Sequence, residues 1–278
     1  MEIREKFISR PAVHADAFYA STVAFILADL CGRFLENLWY SLLMSAFGIP
    51  FRYGIYKIQY ITRSLEYWNE SNILLTYGVG AAVILGLGFL MVSRESFSAH
   101  SNWIVRLFLI WLPFHLTGGI LGQVVVSILQ ITGPGYALNW LFPGGMERLV
   151  AAMIAMGIWL VTTPFWASRF LMASPSESLI RDIRERKAYY LNTMVYAWLT
   201  GTLATFLIDL PDFDFTEILT NLVIGSVTVV AALQLPFMGQ FRVKRIRYQY
   251  TKLRSSYYLV AILVAVAVLL KNLFLRVF

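Results

Sequence analysis

Cysteine is nearly absent: Cys31 is the only one in 278 residues. A lone thiol excludes an internal disulfide and any multi-cysteine metal or iron–sulfur site, and this one reads as a buried, inert group. Histidine is almost as scarce. His14, His100 and His115 show no HxH, HxxxH or HExxH spacing, so a zinc site made by the chain alone needs distant ligands. Charge is thin as well. Only 14% of residues are Asp, Glu, Lys or Arg, against roughly 25% in a soluble domain. There is no G-x-x-x-x-G-K-[ST] phosphate loop, no G-x-S-x-G serine elbow and no paired histidines for haem. No internal repeat or low-complexity linker divides the chain. These absences leave no common cofactor or metal to expect, and none is expected.

Apolar residues are what the chain has in excess. They make up 58% of it, the mean hydropathy is +0.64, and they are clustered into long runs. This pattern predicts an all-α integral membrane protein, with residues 1–278 as one polytopic membrane domain and no room for a sizeable soluble one. The expected spans are residues 18–47, 72–92, 103–131, 148–172, 190–208, 218–235 and 257–270, seven in all. Residues 103–131 are interrupted by Pro113 and by Gly118–Gly119. They are read as one crossing because either half alone is too short. The N-terminal MEIREKFISR is charged, but Asp29 and Arg33 interrupt the apolar run behind it, so no signal-peptide cleavage is expected.

The net charge of +7 is read through the positive-inside rule rather than as a nucleic-acid signal. Arg242, Lys244, Arg245, Arg247, Lys252 and Arg254 share one loop, and Arg181, Arg184, Arg186 and Lys187 share another. Between them lies a loop with Asp209, Asp212, Asp214 and Glu217 and no cation. The basic loops are therefore expected in the cytoplasm and the acidic one outside, which puts the N-terminus inside and the C-terminus outside. Arg52, Lys57 and Arg63 would then be external, against the rule. A bacterial inner membrane is the expected location. The Tyr-interleaved run VKRIRYQYTKLR, residues 243–254, suits anionic lipid headgroups. Residues 51–68 alternate aromatic or aliphatic with polar side chains, which predicts an interfacial helix or a small strand hairpin. Ser174-Pro175-Ser176-Glu177 has the spacing of a capping box and predicts the start of a short cytoplasmic helix.

The first apolar segment carries the most informative feature. Asp29, Arg33, Glu36 and Tyr40 fall on one face of a helix. Arg33 is spaced to pair with Asp29 and with Glu36. Charges in the bilayer face protein or water and have partners, so this stripe is either an ion or proton path, a docking face for another helix, or a self-satisfied packing cluster. A second polar site is expected around His115, Thr117 and Gln123. Gly118, Gly119 and Gly122 form a small-residue face suited to close helix packing.

Two segments together resemble the site-2 protease family of membrane metalloproteases. Phe47-Gly48-Ile49 follows Glu36-Asn37-Leu38-Trp39-Tyr40 at the spacing of that family's Phe-Gly step after its HExxH. Leu112-Pro113-Phe114-His115-Leu116-Thr117-Gly118-Gly119 resembles its later Leu-Asp-Gly-Gly element. The resemblance covers residues 18–131, residues 148–278 being additional helices. It aligns Glu36 and Tyr40 with the ligand histidines, Asn37 with the general-base glutamate and Thr117 with the ligand aspartate. In that family neutral imidazoles and an aspartate bind zinc and a Glu activates its water, and none of those groups stands at these positions. The resemblance therefore implies a pseudoprotease-like fold without the chemistry. The leading expectation is a non-enzymatic membrane protein acting as a subunit or helix-binding scaffold, with membrane lipids and other integral membrane subunits as partners and no nucleic acid. The alternatives are a small transporter or channel using Asp29, Arg33 and Glu36, and a metal-dependent intramembrane hydrolase with unusual ligands.

Overall fold

A computed structural model of the chain describes residues 10–54, 58–60, 67–93, 102–131, 133–176, 178–209, 215–234 and 274–277. The expected span at 257–270, the basic residues 242–254, Asp212, Asp214, Glu177 and His100 lie outside the described residues.

The described chain is overwhelmingly helical. Helix α1 (Arg10–Ala46) has 37 residues, about 55 Å at a rise of ~1.5 Å per residue. A short hairpin of β1 (Phe51–Gly54) and β2 (Ile58–Tyr60) follows. Then come α2 (Glu70–Ser93), α3 (Trp103–Val126), α4 (Pro134–Leu141) and α5 (Gly145–Met172). A four-residue helix α6 (Ser178–Arg181) precedes α7 (residues 183–209), α8 (Phe215–Gln234) and strand β3 (Phe274–Val277). Five of these helices, α1, α2, α3, α5 and α8, are long and apolar enough to cross a membrane.

The end of α1 shows how local sequence sets the geometry. Gly48 adopts φ +67°, a conformation other residues rarely reach. The Gly48 N–H bonds the Ser45 carbonyl at 3.2 Å and the Ile49 N–H bonds the Met44 carbonyl at 2.9 Å. This is a Schellman motif, and buried Met44 and Ile49 form its apolar contact. The Phe47-Gly48-Ile49 step is thus a helix stop that turns the chain into β1. The segment 51–68 takes the hairpin alternative. An unexpected third strand joins it: the sheet order is β2-β1-β3, with Phe51 opposite Tyr60 on one side and Val277 on the other. The all-α expectation needs this small sheet added. Its pairing brings residues 274–277 beside the start of the first loop.

Helix α3 runs unbroken through Pro113 and Gly118–Gly119, as one crossing requires. It is the central helix and packs against α1, α2, α5 and α8. Phe25, Trp111, Phe114, Trp159, Trp166 and Phe170 fill the core around it, all buried. Trp111 Nε1–H donates to Ser21 Oγ at 2.8 Å, and the Ser21 hydroxyl donates to the Thr193 carbonyl. That carbonyl belongs to a π-helical stretch of α7, Leu191–Tyr196, where the backbone ladder is locally widened. At the start of α1, His14 Nε2 lies 2.8 Å from Glu185 Oε2 on α7. His14 is therefore within the first helix rather than before it.

One expectation fails in the stretch 174–209. Ser174 does not cap a helix. Its hydroxyl bonds the Ser176 carbonyl at 2.8 Å, and α6 ends after four residues. The helix entering the span starts at Ile183, capped by Asp182, whose carboxylate accepts from the Arg184 N–H at 2.7 Å. An extended Asp offers the first turn an anionic acceptor, which suits a helix N-terminus better than a serine hydroxyl. Arg186, one of the basic residues expected on the cytoplasmic side, lies on this helix, is buried and donates from Nε to the Ile180 carbonyl at 2.7 Å. The span expected at 190–208 is helical within α7.

Candidate functional site

The stripe on α1 faces inward. Arg33 Nε lies 3.0 Å from Asp29 Oδ2, one turn away on the same helix. Arg33 Nη1 donates to Glu217 Oε2 on α8 at 2.9 Å. Gln123 Nε2 on α3 donates to Glu36 Oε1 at 3.2 Å. His115 Nδ1, also on α3, lies 3.7 Å from Asp29 Oδ1, in range of its charge but too far for a direct hydrogen bond. Tyr40, a turn beyond Glu36, lines one cavity with these residues. Three helices thus meet at one polar seam.

The seam lines a cavity of about 320 Å³. Its rim includes Ile58 of β2, Tyr136 of α4 and Glu217 in the first turn of α8. Its floor is Asp29, Gly32 and His115. Side-chain exposure falls from 38% at Glu217 to 16% at Arg33 and 9% at Asp29, so the cavity is most open on the Glu217 side. Beneath the floor, His115 packs edge-on against Phe25 with ring centroids 4.4 Å apart. Trp111 lies 5.9 Å away. These rings separate the cavity from the Ser21–Trp111 network below.

Glycines on α3 set the spacing of the walls. A Cβ on Gly118 would lie 2.8 Å from Trp159 Cζ2, and one on Gly122 would lie 3.0 Å from Thr220 Cγ2 of α8. These two glycines are a packing pair, as their four-residue spacing suggests. Gly119 is not part of it. Nothing would lie within 4 Å of its Cβ, and it lines the cavity. One residue is about 100° of helix rotation, which carries Gly119 off the packed face.

Of the second polar site, His115 and Gln123 join the first site and Thr117 does not. The Thr117 hydroxyl donates to the Pro113 carbonyl at 2.7 Å. Its methyl lies where a Cβ on Gly88 of α2 would be, 2.7 Å away. The family resemblance aligns Glu36, Tyr40 and Thr117 with ligand positions; Glu36 and Tyr40 line the cavity and Thr117 is outside it. Among the described residues, no group of three His, Cys, Asp or Glu side chains is placed to hold a metal ion.

Glu217 is the functional residue that sequence reasoning misplaced. It sits in the first turn of α8 rather than in an acidic loop. A signal was available: Glu217, Thr220, Asn221 and Ile224 share one helical face, and all four line the cavity. Asp209 ends α7 as the last residue of Ala197–Asp209. No protein-family model, curated protein or solved structure matches this chain, so the reading of the site rests on its geometry. That geometry couples three carboxylates, a guanidinium and an imidazole within one water-accessible recess. Such a set can hold a charged solute and pass protons between neighbouring groups.

Proposed function

We propose that the chain is a seven-span integral membrane protein of an inner-type membrane, and that it works as a small transporter carrying its solute through the Asp29–Arg33–Glu36 cavity. The observation that supports this most is the direction of the stripe. A docking face for a partner helix needs its polar groups on the outer surface of the bundle. Here they line an internal recess whose exposure declines from rim to floor. Intramembrane ionisable groups around a water-filled recess are the usual equipment of a solute or proton path. The aromatic layer beneath His115 closes the far side, as a one-side-open state of alternating access requires. Outward-facing Leu199, Leu203 and Leu207 on α7 and Met153, Ile154 and Val161 on α5 are exposed, which suits contact with lipid. Helical spans, rather than a barrel, support the inner-membrane assignment.

The purified protein in proteoliposomes tests the function. A panel of radiolabelled amines, amino acids and sugars is expected to include a solute that accumulates. Asp29→Asn should cut its uptake by at least about tenfold, as loss of a group acting in the rate-determining passage would, while the elution profile stays monodisperse. No uptake of any panel member, together with stoichiometric copurification of another membrane chain, would sink the transport reading and favour the subunit one.

Side assignment is tested in a Cys31→Ser background. Arg52→Cys on the central strand β1 and Arg184→Cys in the first turn of α7 are both at exposed positions. With α1 crossing between the sheet and the His14–Glu185 contact, they should label from opposite sides, Arg184→Cys from the cytoplasm only. Labelling of both from one side would refute the crossing.

A further inference from the structure

We infer that the solute held in this cavity is a small organic cation carrying an ammonium group; its role as cargo rests on the transport reading, whereas its binding chemistry stands on the cavity itself. Charge comes first. Among the described lining residues, Arg33 is the one cation; it lies on Asp29, whereas Glu36 accepts from the neutral Gln123 amide. One guanidinium cannot neutralise both α1 carboxylates, and a low-dielectric site penalises the surplus. An anionic solute adds to that surplus, a neutral one leaves it, and a cation removes it.

Shape then separates an organic cation from a bare ion. Asp29 and Glu36 are seven residues apart on one helix, so they are offset by about 10 Å along its axis. They cannot converge on a single metal ion. A recess of about 320 Å³ instead fits a molecule at the small end of ordinary ligand sites.

The wall supplies the third argument. Tyr40, Tyr77 and Tyr136 line the cavity and come from α1, α2 and α4. The Tyr40 and Tyr77 ring centroids are 5.3 Å apart, and those of Tyr77 and Tyr136 are 5.1 Å apart. Trp68 stacks behind Tyr77 at 5.9 Å. Aromatic faces carry partial negative charge and attract ammonium groups within about 6 Å of the ring centre. Tyr77 sits in the π-helical turn Leu74–Val79, a distortion that re-aims side chains and recurs at functional sites. At the floor, His115 is 5% exposed and its Nε2 has no hydrogen-bond partner among the described residues. The recess therefore has a negative seam and an aromatic wall, a combination that recognises an ammonium ion with organic bulk.

Isothermal titration of the full chain in lipid nanodiscs tests this. The probes are tetramethylammonium, choline and butane diamine, with the uncharged tert-butyl analogue of choline and acetate as controls. At least one of the three cations should bind saturably. Choline should exceed its uncharged analogue by about tenfold or more, the discrimination expected when a desolvated cation–π contact is lost. Tyr136 is 41% exposed, so Tyr136→Leu should fold. It should weaken cation binding, and Tyr136→Phe, which keeps the ring, should restore it. Glu36→Gln should weaken it further. Equal binding of the uncharged analogue, preference for acetate, or no binding of any of the three cations would overturn the inference. Cation binding without flux of any solute leaves this inference standing and removes the transport reading. Flux of a neutral or anionic solute without cation binding does the reverse.

Discussion

Arg33→Leu is expected to lose most of the folded protein. Arg33 holds Asp29 on its own helix and Glu217 on α8, so leucine strands a buried carboxylate and cuts an interhelical tie in one step. Breaking a buried ion pair from one side costs roughly 3–5 kcal/mol, reduced to the extent that a carboxyl takes up a proton. Glu217 is 38% exposed, and water screens its loss. Most of the penalty therefore falls on Asp29, which is 9% exposed. The yield of monodisperse protein and its thermal unfolding midpoint measure the effect. The triple variant Asp29→Asn, Arg33→Leu, Glu217→Gln removes the pair and the tie together and should recover most of the yield. The recovered protein should be inactive in the vesicle assay. Normal folding of Arg33→Leu alone would mean that the three charges are not a buried cluster.

Gly225→Ala should destabilise the bundle severely, although alanine is the better helix former. Gly225 on α8 faces Trp198 on α7, and a Cβ there would fall inside the indole ring. The ring cannot simply rotate away. Trp198 is buried, and its Nε1–H donates to the Asn221 carbonyl at 3.1 Å. The methyl must therefore push α7 and α8 apart. Overpacking of this kind costs about 1–3 kcal/mol, and more when two helices must shift. Displacing α8 also moves Asn221 and Ile224, which line the cavity, so ligand binding should fall with stability. Gly157 on α5 is the control, since nothing would lie within 4 Å of its Cβ. Gly157→Ala should be neutral or gain up to about 1 kcal/mol. A Gly225→Ala protein as stable as Gly157→Ala would show that the α7–α8 contact is looser than described.

The two halves of the site differed in how far they were legible. Asp29 and Arg33 are four residues apart, and their pairing follows from helix geometry alone. Glu36 and Gln123 are 87 residues apart, and Arg33 and Glu217 are 184 apart. Nothing local announces either pair. Glu217 is grouped by composition with Asp209, Asp212 and Asp214 in one acidic loop. Its partner became visible only once α8 was docked on α3 through Gly118 and Gly122. Proximity in sequence groups Thr117 with His115. Two residues along a helix turn a side chain by about 200°, and Thr117 consequently faces α2.

What the sequence by itself determined is local or summed over a segment. Apolar runs specified long helices, because a buried or lipid-facing backbone must satisfy its own hydrogen bonds. Phe47-Gly48-Ile49 specified where α1 stops, because Gly48 alone accepts the left-handed turn. The charged stripe specified one polar face on α1. Tertiary structure decided which neighbours that face meets: His115 and Gln123 from α3 and Glu217 from α8, with β3 of the distant C-terminal region closing the sheet. A periodicity of 3.6 says which residues share a face, but not how each helix is rotated about its axis against the others. That rotation is set by the packing of small residues against large ones across the whole bundle. It turned a stripe that was ambiguous in sequence into the wall of a cavity.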